Sequence, residues 1–350
     1  MFSAFNQTEG TMDYSSFSKN EIKKLTGSIS QIAGIRQSVL SDGKGRGMRI
    51  AEVYTGSGLA FTVVPDRGMD IQHASYKGIG LAFITPTGYS HPSFYDPSPL
   101  GWLRNWGGGL VTGCGMIGAG APDPVEKLSL HGLLSNTPAE NIVCQQEWVN
   151  GKFLISVSGD VRESRMFGEN LLLRRTVSTA LGSNTFEIAD SVRNDGFKNS
   201  PLMLLYHINI GFPMLSENSV IKAKGHSVVP RDEVAAKGIK EWNKFDAPIK
   251  NFKEQCFYHD IPADRDGFAR CTLSNPKLGL DFEVAYRKKE LPFFTEWKMT
   301  GEGEYVVGLE PANCHVEGQT AEKKKFKSLK ILKPGETCEF KIRITIMEKS

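Results

Sequence analysis

Residues 202–210 read Leu202-Met203-Leu204-Leu205-Tyr206-His207-Ile208-Asn209-Ile210, a run without glycine or proline. Taken with a period of two, Leu202, Leu204, Tyr206, Ile208 and Ile210 form one mainly apolar face. Met203, Leu205, His207 and Asn209 form the other, so polarity appears at one end of the second face only. An isolated histidine in such a strand reads most simply as a hydrogen-bonded core residue. Two polar residues at i and i+2 on one face read instead as the wall of a site.

Strands continue on both sides of this stretch. Leu171 to Ala180 and Thr185 to Asn194 are joined by Leu181-Gly182-Ser183-Asn184, which predicts a hairpin with Phe186, Ile188 and Val192 on one face. Near the C-terminus Ile342, Ile344 and Ile346 alternate with Lys341, Arg343 and Thr345 after a Pro334-Gly335 turn. That alternation predicts a half-buried antiparallel strand. Helix signals are few. Ser18-Lys19-Asn20-Glu21 is a capping box opening a short helix over 21–25, and a second short helix is expected around Asp232 to Ala236. No βα repeats occur, so the fold class is mainly β and antiparallel.

The 350 residues carry 42 basic and 39 acidic side chains, a net charge of +3. The basic residues are spread out. The one dense run, Lys323-Lys324-Lys325, reads as a solvated loop or strand edge, so neither nucleic acid nor a membrane is expected as a partner. Met1 to Gly10 lacks a secretory pattern, and no apolar stretch approaches the ~18–20 residues of a spanning helix. The six cysteines are scattered, which suits reduced thiols and a cytoplasmic location.

Gly113-Cys114-Gly115-Met116-Ile117-Gly118 fits G-x-G-x-x-G, but Pro122 and Pro124 follow too soon for the helix that a dinucleotide site needs. Trp106-Gly107-Gly108-Gly109 lacks the Lys-Ser/Thr of a phosphate-binding loop, and no H-E-x-x-H, C-x-x-C or G-x-S-x-G occurs. No cofactor and no metal are expected.

Two stretches without strand or helix periodicity, Thr85 to Gly109 and Gly118 to Asn136, are the first places to seek a site. Gly101-Trp102-Leu103-Arg104-Asn105-Trp106 and His131-Gly132 lie in them. Trp, His, Arg and Asn together suit a sugar, whose C–H groups pack on flat aromatic faces while polar groups fix the hydroxyls. Each Trp taken separately reads equally as a core anchor. In Tyr305-Val306-Val307-Gly308-Leu309-Glu310-Pro311, Glu310 shares a strand face with Val306 and Gly308. A carboxylate there must be paired, solvated by a cleft or shifted in pKa.

These blocks resemble, in order, a bacterial aldose 1-epimerase-like family of the galactose mutarotase-like superfamily. They include Pro65-Asp66-Arg67-Gly68-Met69-Asp70-Ile71, Thr85-Pro86-Thr87-Gly88, His91-Pro92-Ser93-Phe94-Tyr95-Asp96-Pro97 and Gly101-Trp102-Leu103-Arg104. The series continues through Gly107-Gly108-Gly109-Leu110, His131-Gly132, Ser135-Asn136-Thr137-Pro138-Ala139-Glu140, Tyr206-His207-Ile208-Asn209-Ile210-Gly211 and Gly308-Leu309-Glu310-Pro311. The resemblance runs from about Ile32 to the C-terminus. It implies an antiparallel β-supersandwich over 31–350 whose concave face holds the sugar, preceded by an extension with a short helix over 1–30.

By that resemblance Glu310 is the general base and His207 the general acid, with His131 and Arg104 binding the sugar. Arg67, Asp70, Trp102 and Asn209 are further candidates for the substrate wall. In the mechanism expected from these roles, ionised Glu310 deprotonates the anomeric hydroxyl while protonated His207 donates to the ring oxygen. The ring opens, rotates about C1–C2 and recloses. The partner is then a small-molecule carbohydrate. Alternatives are a sugar-phosphate or sugar-acid epimerase, with Arg104, Arg67 or another Arg gripping the anion, a non-catalytic carbohydrate-binding protein, and a polysaccharide lyase-like activity. The chain departs from the resemblance in the His207 to Asn209 spacing and at Leu133, where a basic residue is expected. The sugar and the oligomeric state are left open.

Overall fold

The computed structural model describes residues 14–349. Among these, two antiparallel sheets of twelve and eight strands carry the architecture. The middle of the larger sheet runs Asp70–Tyr76, Val111–Met116, Ser200–Gly211, Glu304–Ala312, Phe293–Gly301, Gln255–Asp260 in spatial order. In the smaller sheet the C-terminal strand Thr337–Glu348 pairs with Leu280–Arg287 on one side and Thr185–Asn194 on the other.

Alternation in the sequence decides which face meets the core. Ile342, Ile344 and Ile346 are at most 1% exposed, as are Phe186, Ile188 and Val192 across the pairing. They join Leu202, Leu204, Tyr206, Ile208 and Ile210 in one apolar cluster between the sheets. Each fully buried aliphatic contributes about 1.5–3 kcal/mol from removal of apolar surface from water. The hairpin expected between residues 171 and 194 is present, with Glu187 opposite Ser178.

One polar cluster interrupts this core. Asp190 shares the face of Ile188 and Val192, yet it is buried. Arg175 donates to it from Nε and Nη2, the latter at 2.6 Å, and the Tyr206 hydroxyl donates at 2.7 Å. Arg175 also donates to the Gly68 carbonyl at 3.1 Å and stands 4.0 Å from Asp70. A charge so buried persists only when paired and hydrogen-bonded.

The opposite face of Ser200–Gly211 is buried as well. Met203 and Leu205 pack in a second cluster with Trp102, Trp106, Cys114, Ala312 and Val316. The covering material comes from the two aperiodic stretches, which contain only short turns of helix, Pro92–Phe94, Trp102–Asn105 and Leu134–Asn136. The candidate site lies on this side of the larger sheet, away from the smaller one.

Both short helices form where their caps predict. Ser18 and Glu21 close a capping box on Lys19–Leu25, and Asp232 accepts from the Val234 and Ala235 amides to start Glu233–Gly238. Gly113 to Gly118 opens no helix; Val111–Met116 is a strand. Lys323, Lys324 and Lys325 are exposed, but on a π-helical turn, Glu322–Phe326, rather than a loop or strand edge. Glu322 is buried under that turn and holds it by accepting from the His315 amide and the Ser328 hydroxyl. All six cysteines are free. Among the described residues no helix is long and apolar enough to cross a membrane.

Candidate active site

Strand register brings the two reactive candidates together. Ser200–Gly211 and Glu304–Ala312 are neighbours, with Leu205 opposite Ala312 and Ile208 opposite Leu309. The antiparallel count between those pairs sets His207 against Glu310. Their side chains meet at 3.2 Å, Nε2 to Oε1. The contact is not aligned as a hydrogen bond: Glu310 Oε1 has no hydrogen-bond partner, and His207 Nδ1 has none either. Both residues are buried, at 5% and 2% exposure.

The row extends across the sheet on either side. Thr112 lies opposite His207 on the side away from Glu310. On the other side Thr295 faces Glu310, Trp297 faces Gly308, and Cys256 faces Trp297. Gly308 is dictated by crowding. A Cβ there would stand 2.5 Å from Glu310 Oε1 and 3.3 Å from His207 Cε1.

Above the row is a cavity of about 480 Å³. His131, His207, Glu310, Trp102, Trp106 and Trp297 line it, with Arg231 and Glu254 at one side. The rings support one another: Trp102 stacks on Trp106 at 5.2 Å, His131 lies 4.6 Å from Trp102, and His131 stands edge-on to His207 at 5.3 Å. Trp106 is anchored by its Nε1, which donates to Thr112 Oγ1 at 3.2 Å. His131 has a left-handed backbone, φ +57°, uncommon for a residue with a side chain and held by two hydrogen bonds. Its amide donates to Gly120 and its carbonyl accepts from Gly115.

Electrostatics follow from this burial. Desolvation pushes the His207 imidazole down to about 4, and holds His131 well below the usual histidine range, with His207 adding to the effect. Desolvation also raises the Glu310 carboxyl well above its ordinary value; Glu254 adds to the rise and Arg231 opposes it. Burial thus disfavours the charged form of each member of the pair, so the ionised Glu310 and protonated His207 expected from the sequence have only their mutual attraction at 3.2 Å to offset that cost.

Four of the eight sequence candidates meet at this cavity: Glu310, His207, His131 and Trp102. The other four do not line it. Arg104 projects outward, its side chain 80% exposed and 3.5 Å from Asp96, while its neighbour Leu103 faces the cavity. Arg67 is buried, donating to the Ser90 carbonyl, Asn136 Oδ1 and Ser135 Oγ, which fixes the loop behind the site. Its desolvation lowers it to about 10. Asp70 accepts the Gly113 amide at 2.8 Å from within the sheet, and burial raises it to about 7. Asn209 donates to the Gly109 and His207 carbonyls, so it braces the strand instead of reaching the cavity.

Among the lining residues that escape the sequence are Trp297, Arg231 and Glu254. Trp297 Nε1 donates to Glu254 Oε2 at 2.8 Å, and Arg231 donates to Glu254 Oε1 and Asp232 Oδ2 at 3.3 and 2.9 Å. Trp297 carries a legible signal, alternating with Phe294 and Glu296 on a strand beside that of Glu310. Nothing local marks Arg231 or Glu254.

Residues 45–346 match the family described as Domain of unknown function (DUF4432). The chain belongs to that family. No curated protein sequence matches this DUF4432 chain. Among solved structures, a candidate aldose 1-epimerase of Klebsiella pneumoniae subsp. pneumoniae is 27% identical. It covers 90% of this chain and 84% of its own, with a TM-score of 0.84. A galactose mutarotase-like protein of Clostridium acetobutylicum is 14% identical over 91% and 99% of the two chains, with a TM-score of 0.64. The galactose 1-epimerase of Lactobacillus acidophilus is 12% identical over 91% and 100%, with a TM-score of 0.60. The DUF4432 chain thus has the galactose mutarotase-like β-supersandwich, and resembles aldose 1-epimerase-like proteins in fold.

Proposed function

We propose that this chain is an aldose 1-epimerase-like isomerase that interconverts the anomers of a sugar, with His207 and Glu310 as its acid–base pair. One observation carries it. An imidazole and a carboxyl face each other at 3.2 Å across two central strands, at the bottom of a cavity walled by tryptophans.

Anomer exchange needs one proton donor and one acceptor at once, on the ring oxygen and the anomeric hydroxyl. A pair holding a single proton supplies both. The proton rests on Glu310, and crosses to His207 as the sugar arrives and Arg231 favours the carboxylate. Glu310 then accepts from the anomeric hydroxyl while His207 donates to the ring oxygen. On reclosure the roles reverse, returning the proton count to its start. Assistance of this kind is worth about 10²–10⁴-fold. The rings of Trp102, Trp106 and Trp297 offer faces for sugar C–H groups, and Glu254 offers an acceptor for a hydroxyl.

Of the arginines that could grip an anion, neither Arg104 nor Arg67 lines the cavity. Arg231 does, but two carboxylates already share it.

The test is anomer exchange followed by saturation-transfer NMR across a panel of free aldoses. Glu310→Gln is expected to lose about 10²–10⁴-fold in kcat while still binding sugar. Wild-type exchange in that variant would reject the pair. Sugar binding by the wild type with no exchange would favour a carbohydrate-binding protein.

A further inference from the structure

Glu310 has His207 across one edge of its strand and Thr295 across the other. In Phe293–Gly301, Phe294 packs between the sheets while Trp297 lines the cavity. Thr295, two residues from Trp297, therefore shares the face of the reactive pair. Residues directly opposite on such a face have Cβ atoms about 4.5–5.5 Å apart. On the far side of Thr295 stands Tyr258, whose hydroxyl is already engaged, donating to Glu317 Oε1 at 3.0 Å.

Thr295 is 1% exposed and does not line the cavity. Its Oγ1 has no hydrogen-bond partner, and neither has Glu310 Oε1. A buried hydroxyl left unpaired costs stability that valine, of nearly the same shape, would not. The fold gains nothing from the hydroxyl, and the group it faces is the carboxyl of the pair.

We propose that Thr295 is a positioning residue of the acid–base pair, its hydroxyl donating to the Glu310 carboxylate whenever Glu310 is ionised. This rests on the epimerase function proposed above, in which Glu310 alternates between acid and carboxylate. Burial and Glu254 oppose the charged form and Arg231 favours it; the Thr295 hydroxyl adds to the side of Arg231. The other titratable groups around the carboxyl are His207 and the thiols of Cys114, Cys256 and Cys314, which burial holds far above their ordinary value. Thr295 meets no sugar, so it acts through Glu310 alone.

The test sets Thr295→Val beside Thr295→Ser, each assayed for anomer exchange by NMR and for thermal unfolding. The valine variant is expected to melt at or above the wild-type temperature and to lose about 10- to 100-fold in kcat with KM little changed. Without the donor the carboxylate is harder to form, so its alkaline rate limb should move up by about one pH unit. Serine keeps the hydroxyl and should restore the limb and most of kcat. Wild-type kcat and an unmoved limb with valine would overturn the Thr295 assignment and leave the epimerase standing. A serine variant as slow as the valine one would also overturn it, since the shape of the side chain and not its hydroxyl would then matter. No exchange by the wild type on any aldose would overturn the epimerase, and this assignment with it.

Discussion

Gly308→Ala isolates the packing of the reactive pair from its chemistry. Gly308 does not have the left-handed backbone that penalises side chains, so alanine fits the strand and only the added methyl carbon matters. That carbon would lie 2.5 Å from Glu310 Oε1, where ordinary contact begins at 3.4 Å. The carboxyl must therefore retreat by ~0.9 Å, the difference between those two distances. Trp297 Cβ at 3.1 Å and His207 Cε1 at 3.3 Å limit where it can go. A misplacement of about 1 Å at reacting groups costs roughly 10²-fold in rate. Overpacking of this size costs about 1–3 kcal/mol of stability, and so roughly 1–4 °C in melting temperature. The assay is anomer exchange by NMR beside thermal unfolding followed by circular dichroism. Full activity in a variant that melts like the wild type would refute the claim that Gly308 keeps the space in which Glu310 sits.

Further outcomes follow from burial and charge. The pH profile of kcat/KM should be a broad bell. Below about 4 His207 gains a proton and the pair loses its acceptor, and above the raised Glu310 value the pair loses its donor. A profile centred near 4 would contradict it. Glu254→Gln removes a charge that raises Glu310 and releases Arg231, which lowers it, so the alkaline limb should move to lower pH. An unmoved limb would show that Glu254 does not act on the pair. Arg175→Met leaves Asp190 buried without its cation and should cost about 3–5 kcal/mol in urea titration. A loss below ~1 kcal/mol would refute the claim that Arg175 holds this part of the core.

Strands with one solvent side are legible from alternation, as where Ile342, Ile344 and Ile346 alternate with Lys341, Arg343 and Thr345, and the sheet follows that alternation. Glu310 and His207 were legible for a related reason. Each interrupts an apolar strand at a position where a polar group must find a use. Arg67 and Asp70 interrupt apolar surroundings too, but their use is internal, bracing loops and the Gly113 amide. Sequence alone does not separate a buried brace from a site wall. Arg104 was misplaced because a four-residue helical turn, Trp102–Asn105, decides which of two adjacent side chains faces inward. Arg231 and Glu254 are 23 residues apart and are joined by tertiary contact only. The desolvation of the pair is equally illegible, since it depends on burial that strand packing creates.

The strand Ser200–Gly211 is paired on both edges and covered on both faces. Its amides, His207's among them, should exchange with solvent only through the largest opening events of the molecule. The His207 imidazole is therefore mounted on backbone of low mobility, whereas Leu100, Leu103 and Arg231 reach the cavity from loops and a short helical turn. The lining can then change at those positions while His207 and Glu310 stay in register.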